Sequence, residues 1–193
     1  AAITFPSLTH GQILGANDHI NCAVIGVRSR AKAHVSAINA LKNTTLLYSC
    51  DVDDIILEAH NIWCQKNIGH VPKVEKDFRK ILEDKEVDAV FIATPEHWHA
   101  PMAILAMQAG KHVYLEKPCS HNLYENELLV AAQKKYGKKV QMGNQQRSAQ
   151  TSIMAIKDIN DGVIGAVYKG EAYYSNNRGS IGKGKTIPVP KTL

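Results

Sequence analysis

Ile20-Asn21-Cys22-Ala23-Val24-Ile25-Gly26-Val27-Arg28-Ser29-Arg30-Ala31 is the stretch that decides the fold. A short apolar run ends at a glycine, and Ala33, Ala37, Ala40 and Leu41 then recur at helical spacing until Asn43 stops the pattern. The order is strand, turn, helix. Ahead of it, residues 1–19 mix Thr, Pro, Ser, Gly and Asn with isolated apolar residues and read as an extended arm.

The unit repeats. Leu46 to Cys50 is a second strand ending at Asp51, and the helix after it is expected to turn Ile55, Ala59 and Ile62 inward, with Asp53 or Asp54 as its cap. A short strand near Val74 and a helix through Phe78, Ile81 and Leu82 lead to Val87–Ala93, the most strand-like segment of the chain. The next helix, through Ile104 and Leu105, is apolar almost all round and is expected to be buried, with Gly110 at its end. A strand at His112 to Leu115, a helix through Leu128, Leu129, Ala132 and Tyr136, a strand at Val140 to Met142 and a helix through Ile153, Ile156 and Ile159 follow. Short, continuously apolar strands separated by helices need crossover connections. The predicted fold is therefore α/β, a doubly wound parallel sheet with helices on both faces, binding its ligand outside the carboxyl ends of the strands.

Composition narrows the function. The 193 residues carry 23 basic and 18 acidic side chains, a net charge of +5, 45% apolar residues and four cysteines. The lysines are scattered without interleaved aromatics, so no nucleic-acid partner is expected. No run approaches the roughly 18 apolar residues of a membrane span. Cys22, Cys50, Cys64 and Cys119 form no CxxC pair and are expected to be reduced and mostly buried. The opening residues lack a charged start followed by an apolar core, so a cytoplasmic location is expected, with export after removal of a leader as the alternative.

The chemistry gathers where strands end. The Gly26 turn opens a helix just where a Rossmann sheet places phosphate-binding glycines, so that backbone amides face a pyrophosphate. Only the first glycine of GxGxxG is present. Arg28 stands at the second position, leaving Ser29 and an arginine charge to supplement a less close approach; an ordinary tight turn is the plain alternative. Asp51, about 25 positions on, suits an adenosine ribose and would repel a 2′-phosphate, which favours NAD over NADP. The plain alternative is a helix cap, which Asp53 or Asp54 could provide equally well, and Arg28 and Arg30 could draw a 2′-phosphate instead. Thr94-Pro95-Glu96-His97-Trp98-His99 and Glu116-Lys117-Pro118 each follow a strand. His97 and His99 have no third ligand at suitable spacing, so no metal site is predicted. Lysine directly after an apolar strand is costly unless compensated, which makes Lys117 the candidate acid/base group, with a plain salt bridge to Glu116 as the alternative.

These segments carry a resemblance. VIGVRSR, the CDVD around Asp51, ATPEHWHA, AGKHVYLEKP, VQMGNQQR and GVIGAVY, in this order and spacing, resemble the Gfo/Idh/MocA family of nicotinamide-dependent oxidoreductases from Ile20 to about Arg178. The Glu-Lys-Pro tripeptide is the most specific of them, and the glycine turn departs from the family pattern. The resemblance implies a Rossmann domain followed by an open-sheet α/β domain that completes the substrate site and mediates homo-oligomerisation. It makes Lys117 the catalytic and substrate-orienting lysine, with Pro118 after a cis bond. Gly26, Arg28, Ser29, Arg30, Asp51, Thr94, Pro95, His97, Trp98, Glu116 and Asn144 would hold NAD. Gln145 and Arg147 would join Lys117 at the substrate.

The expected organisation is an arm over 1–19, a dinucleotide-binding Rossmann domain over 20–162 and the start of a second domain over 163–193. There Ala166 to Tyr174 alternates as a half-solvated strand whose partners lie outside this sequence. The expected activity is NAD-dependent oxidation of a hydroxyl on a sugar, sugar derivative or cyclitol, with the 193 residues binding cofactor but turning nothing over. The alternatives are a glycoside hydrolase or lyase that oxidises its sugar transiently, and a non-catalytic nucleotide-binding module.

Overall fold

The computed structural model describes residues 19–175, 177 and 179. They fall into two compact units divided between Gly143 and Asn144.

The first unit is a six-stranded parallel sheet, β1 (Ile20–Ile25), β2 (Thr44–Cys50), β3 (Lys73–Glu75), β4 (Ala89–Ile92), β5 (His112–Leu115) and β6 (Val140–Met142), in the order β3-β2-β1-β4-β5-β6. Its helices are α1 (Ala31–Asn39), α2 (Asp54–Ile68), α3 (Phe78–Glu83), α4 (His99–Gln108) and α5 (Leu123–Tyr136). Alternate residues of β1 feed two cores. Ala23 and Ile25 join Ile81, Ala103, Met107 and Leu129 of α3, α4 and α5, whereas Cys22 and Val24 join Val35, Ile38, Leu57 and Cys64 of α1 and α2. A sheet covered on both faces is why its strands are apolar without alternation.

Helix ends follow local chemistry. Asp53 accepts from Ile55 N and Ile56 N and so caps α2, which ends on left-handed Gly69. Asn122 caps α5, which ends on left-handed Gly137. Two inward stripes differ from expectation. In α1 the buried residues are Ala31, His34, Val35 and Ile38 rather than the alanine series, and in α2 they are Leu57, His60 and Cys64, with Ile55 and Ile62 left exposed. Each true stripe contains a histidine, a residue that apolar periodicity counts as polar. His34 earns its place by ring contacts, with centroids 5.6 Å from Phe91 and 5.1 Å from Tyr114. Leu105 of α4 also remains exposed. Cys22, Cys50 and Cys64 are buried and Cys119 half-buried, all as free thiols.

The second unit contains a 3₁₀ turn over Gln145–Ser148 and α6 (Gln150–Asn160). The strand expected over Ala166–Tyr174 does not form, and that segment is exposed without regular structure. A lone alternating segment has no neighbour to complete its ladder of hydrogen bonds. The arm lies, but for His19, outside the described residues. No helix among the described residues is long and apolar enough to cross a membrane.

Two outcomes test this packing. Gly26 has φ +86°, and a Cβ there would lie 2.7 Å from Ala93 O. Gly26→Ala should therefore lower stability by more than about 2 kcal/mol in urea unfolding, from left-handed strain plus a backbone clash. An unchanged midpoint would contradict the close approach. Burial holds the His34 imidazole below its ordinary value of 6.5, against the opposing pull of Glu116. The unfolded chain therefore takes up that proton first as pH falls, and the contribution of neutral His34, complete above pH 6.5, is lost below it. The melting temperature should drop from about pH 7 to about pH 5, and less so in His34→Phe.

Candidate functional site

One row of residues ends the strands together. Cα pairing aligns Cys50, Ile25, Ile92, Leu115 and Met142 across β2-β1-β4-β5-β6. The ladder then runs one step further, through Gly26 N to Cys50 O, Ala93 N to Ile25 O, Glu116 N to Ile92 O and Gly143 N to Leu115 O. Asp51, the Gly26 turn, Thr94 and Lys117 thus follow a common border. Chain direction reverses its progress through the sheet between β1 and β4, where α1 and α4 leave on opposite faces; this is the switch point at which such sheets open a crevice.

The turn after β1 is held by Asp51. Its Oδ2 accepts from Val27 N at 3.0 Å and its Oδ1 from Asp53 N at 3.2 Å, so the carboxylate ties the phosphate-type turn to the end of β2. Each oxygen retains a lone pair for a further donor. Arg28, at the glycine position, points its guanidinium to Asp53, 3.0 Å away, and both are well exposed. That pair adds little stability. Arg30, the N-cap of α1, makes no side-chain cap, and the first turn of α1 holds no acidic residue.

Arg30 instead reaches the next loop but one. Its Nε donates to Glu116 Oε1 at 2.8 Å, and His34 Nε2 lies 3.1 Å from the same oxygen. Glu116 Oε2 accepts from the Lys117 amide at 3.3 Å. Burial works to raise the Glu116 carboxyl, and the Arg30 hydrogen bond and charge, with His34 and the Lys117 N–H, outweigh it and hold the group below the usual carboxylate range. Glu116 is thereby a buried carboxylate committed to α1, while the side chain of Lys117 is exposed at the border. The peptide bond between Lys117 and Pro118 is cis.

On the β4 side Thr94 is half-buried, and Pro95, His97 and Trp98 are exposed around a 3₁₀ turn over Glu96–Trp98. The buried histidine is His99, which contacts Thr94 O and Pro118 O. Asn144, Gln145 and Arg147 belong to the second unit, at its first turn after Gly143. Sequence reasoning did not single out His34 as a partner of Glu116 or His99 as a bridge. Their only signal was a polar residue placed on an apolar helix face. A shallow groove of about 360 Å³ lies along the amino-terminal halves of β4, β5 and β6, beside Ala89, His112 and Val140. It holds none of this chemistry, and the carboxyl border is the candidate site.

Comparison with known proteins bears on the fold and its family. The sequence model described as "Oxidoreductase family, NAD-binding Rossmann fold", the Gfo/Idh/MocA family, matches residues 20–144. The scyllo-inositol dehydrogenase of Lactobacillus casei, solved with bound cofactor NAD(H) and scyllo-inositol, is similar with a TM-score of 0.67 and 27% identity, over 76% of this chain and 42% of its own. The myo-inositol 2-dehydrogenase of Lactobacillus plantarum gives 0.68 and 26% over the same shares. A glycosyl hydrolase family 109 protein of Shewanella sp. (strain W3-18-1) is 29% identical over 168 residues, 85% of this chain and 37% of its own. The chain thus spans about two-fifths of the length of these relatives. With the family model covering the whole sheet, the chain belongs to the Gfo/Idh/MocA oxidoreductase family, through its NAD-binding Rossmann fold.

Proposed function

We propose that this chain is the NAD-binding part of an oxidoreductase that removes hydride from a carbinol carbon of a sugar, sugar derivative or cyclitol. The observation that carries the reading is the common border. From Asp51 after β2 to Lys117 after β5 there are three strand spacings, roughly 14 Å, which suits an extended dinucleotide with its adenosine ribose at one end and its nicotinamide at the other.

The residues fit that cofactor. Gly26 brings backbone close to the end of β4 where any side chain would collide. Asp51 has acceptor capacity left for ribose hydroxyls, and Asp51 with Asp53 would repel a 2′-phosphate that the paired Arg28 does not counter. Ser29, Arg30 and the uncapped first turn of α1 receive the pyrophosphate. Thr94, Pro95, His97 and Trp98 wall the nicotinamide side and exclude water there.

When bound, NAD supplies the hydride acceptor. Lys117 Nζ holds the substrate hydroxyl and takes its proton as the carbon is oxidised, and Glu116, committed to Arg30 and His34, keeps the lysine's backbone in place. Further substrate contacts and homo-oligomerisation would draw on the part of the relatives' length that these 193 residues do not span. A second reading draws support from the glycosyl hydrolase relatives. In it the same oxidation is transient, and it is reversed after the glycosidic bond breaks, so that no NADH is released. Accumulation of NADH with substrate separates the two.

Calorimetric titration should show NAD and NADH binding and NADP excluded. Asp51→Ala should weaken NAD by about tenfold, the cost of a charge-assisted hydrogen bond. Equal affinity for NADP, or indifference to the substitution, would contradict the ribose assignment. Lys117→Ala should leave NAD affinity within about threefold, since a lysine that acts on the substrate is not a cofactor anchor. A much larger loss would make it a cofactor residue.

A further inference from the structure

We propose that His99 is a positioning residue that latches the loop after β4 to the loop carrying Lys117, donating a hydrogen bond from each of its two ring nitrogens. This rests on the reading of Lys117 as the group that acts on the substrate. His99 is the first residue of α4 and is 2% exposed. Its Nδ1 lies 2.5 Å from Pro118 O and its Nε2 2.9 Å from Thr94 O.

Both partners are carbonyl oxygens, which only accept. A neutral imidazole has one N–H and one lone pair, so one of the two contacts would set a lone pair against a carbonyl in a site closed to solvent. A ring bearing both protons satisfies the two oxygens together. His70 offers a contrast: its Nε2 meets one carbonyl, Leu46 O at 3.0 Å, which a neutral ring serves fully.

The two oxygens belong to different loops. Thr94 follows β4, on the expected nicotinamide wall, and Pro118 directly follows Lys117. On the other flank, Glu116 is fastened to α1 by Arg30 and approached by His34. Lys117 therefore projects from a backbone anchored on both sides, by Glu116 through its carboxylate and by Pro118 through its carbonyl. A charged histidine buried between carbonyl dipoles is costly to build and serves no core packing that an apolar residue would not serve better. Its return is a lysine whose position is fixed relative to the β4 loop.

Long-range proton–nitrogen NMR spectra of the histidine-labelled chain at neutral pH read the ring directly, with His99 assigned by its absence in His99→Gln. Both nitrogens are expected in the protonated form; one unprotonated nitrogen overturns the latch. The second measurement is the protection of Lys117 from reductive methylation by NAD, in the parent chain, His99→Gln and His99→Phe. Loss of the bridge should cut that protection by about fivefold, the worth of one net hydrogen bond. Parent-like protection in a folded variant overturns the positioning role. If NAD fails to protect Lys117 even in the parent chain, the placement of Lys117 beside the cofactor falls instead, and the nitrogen spectra still decide whether the latch exists.

Discussion

The close approach of the first turn to the end of β4 is the constraint on which the rest depends. At Gly26 a Cβ would meet Ala93 O, Ala93 C and Thr94 N, all within 2.8 Å. With only hydrogen there, β1 and β4 can run side by side to their ends while their helices leave on opposite faces. That divergence opens the crevice, and it sets the phosphate-type turn beside Thr94. The family pattern has further glycines in this turn, and this chain has Arg28 and Ala31 after the first. The glycine that survives is the one whose replacement is sterically forbidden.

The charges around the crevice are arranged as fasteners more than as free ligands. Asp51 closes the turn by accepting two backbone amides, and Arg28 is drawn to Asp53. Glu116 bridges 86 positions of sequence to Arg30. The plain alternative for Glu116, a salt bridge to its neighbour Lys117, is displaced by this longer-range pair. The carboxylate lies 2.8 Å from Arg30 and is nearly buried, so that interaction is far less screened than the exposed surface pairs of the same chain.

Much of this was legible in the sequence because parallel strands buried on both faces are continuous apolar runs, and because ligand residues of such a sheet follow those runs directly. Asp51, Thr94 and Lys117 were found that way, and the structure sets them along one border. What the sequence hid was polar burial and long-range pairing. His34, His60 and His99 each face inward from helices, so counting them as polar shifted the predicted stripes of α1 and α2 and left His99 weighed, with His97, only as a metal ligand. The pairing of Arg30 with Glu116 has no local signature at all. Over Ala166–Tyr174 the alternating pattern stands without regular structure, since a strand requires a neighbour that no local pattern supplies.

The central claim is that the carboxyl border holds a dinucleotide with its nicotinamide beside Nζ of Lys117. Intermolecular nuclear Overhauser effects between bound NADH and the chain measure this directly. The account predicts cross-peaks from the nicotinamide ring protons to the ε-methylene of Lys117, and from the adenosine ribose protons to the turn at Asp51. Nicotinamide cross-peaks to the groove residues His112 and Val140, with none to Lys117, would contradict it.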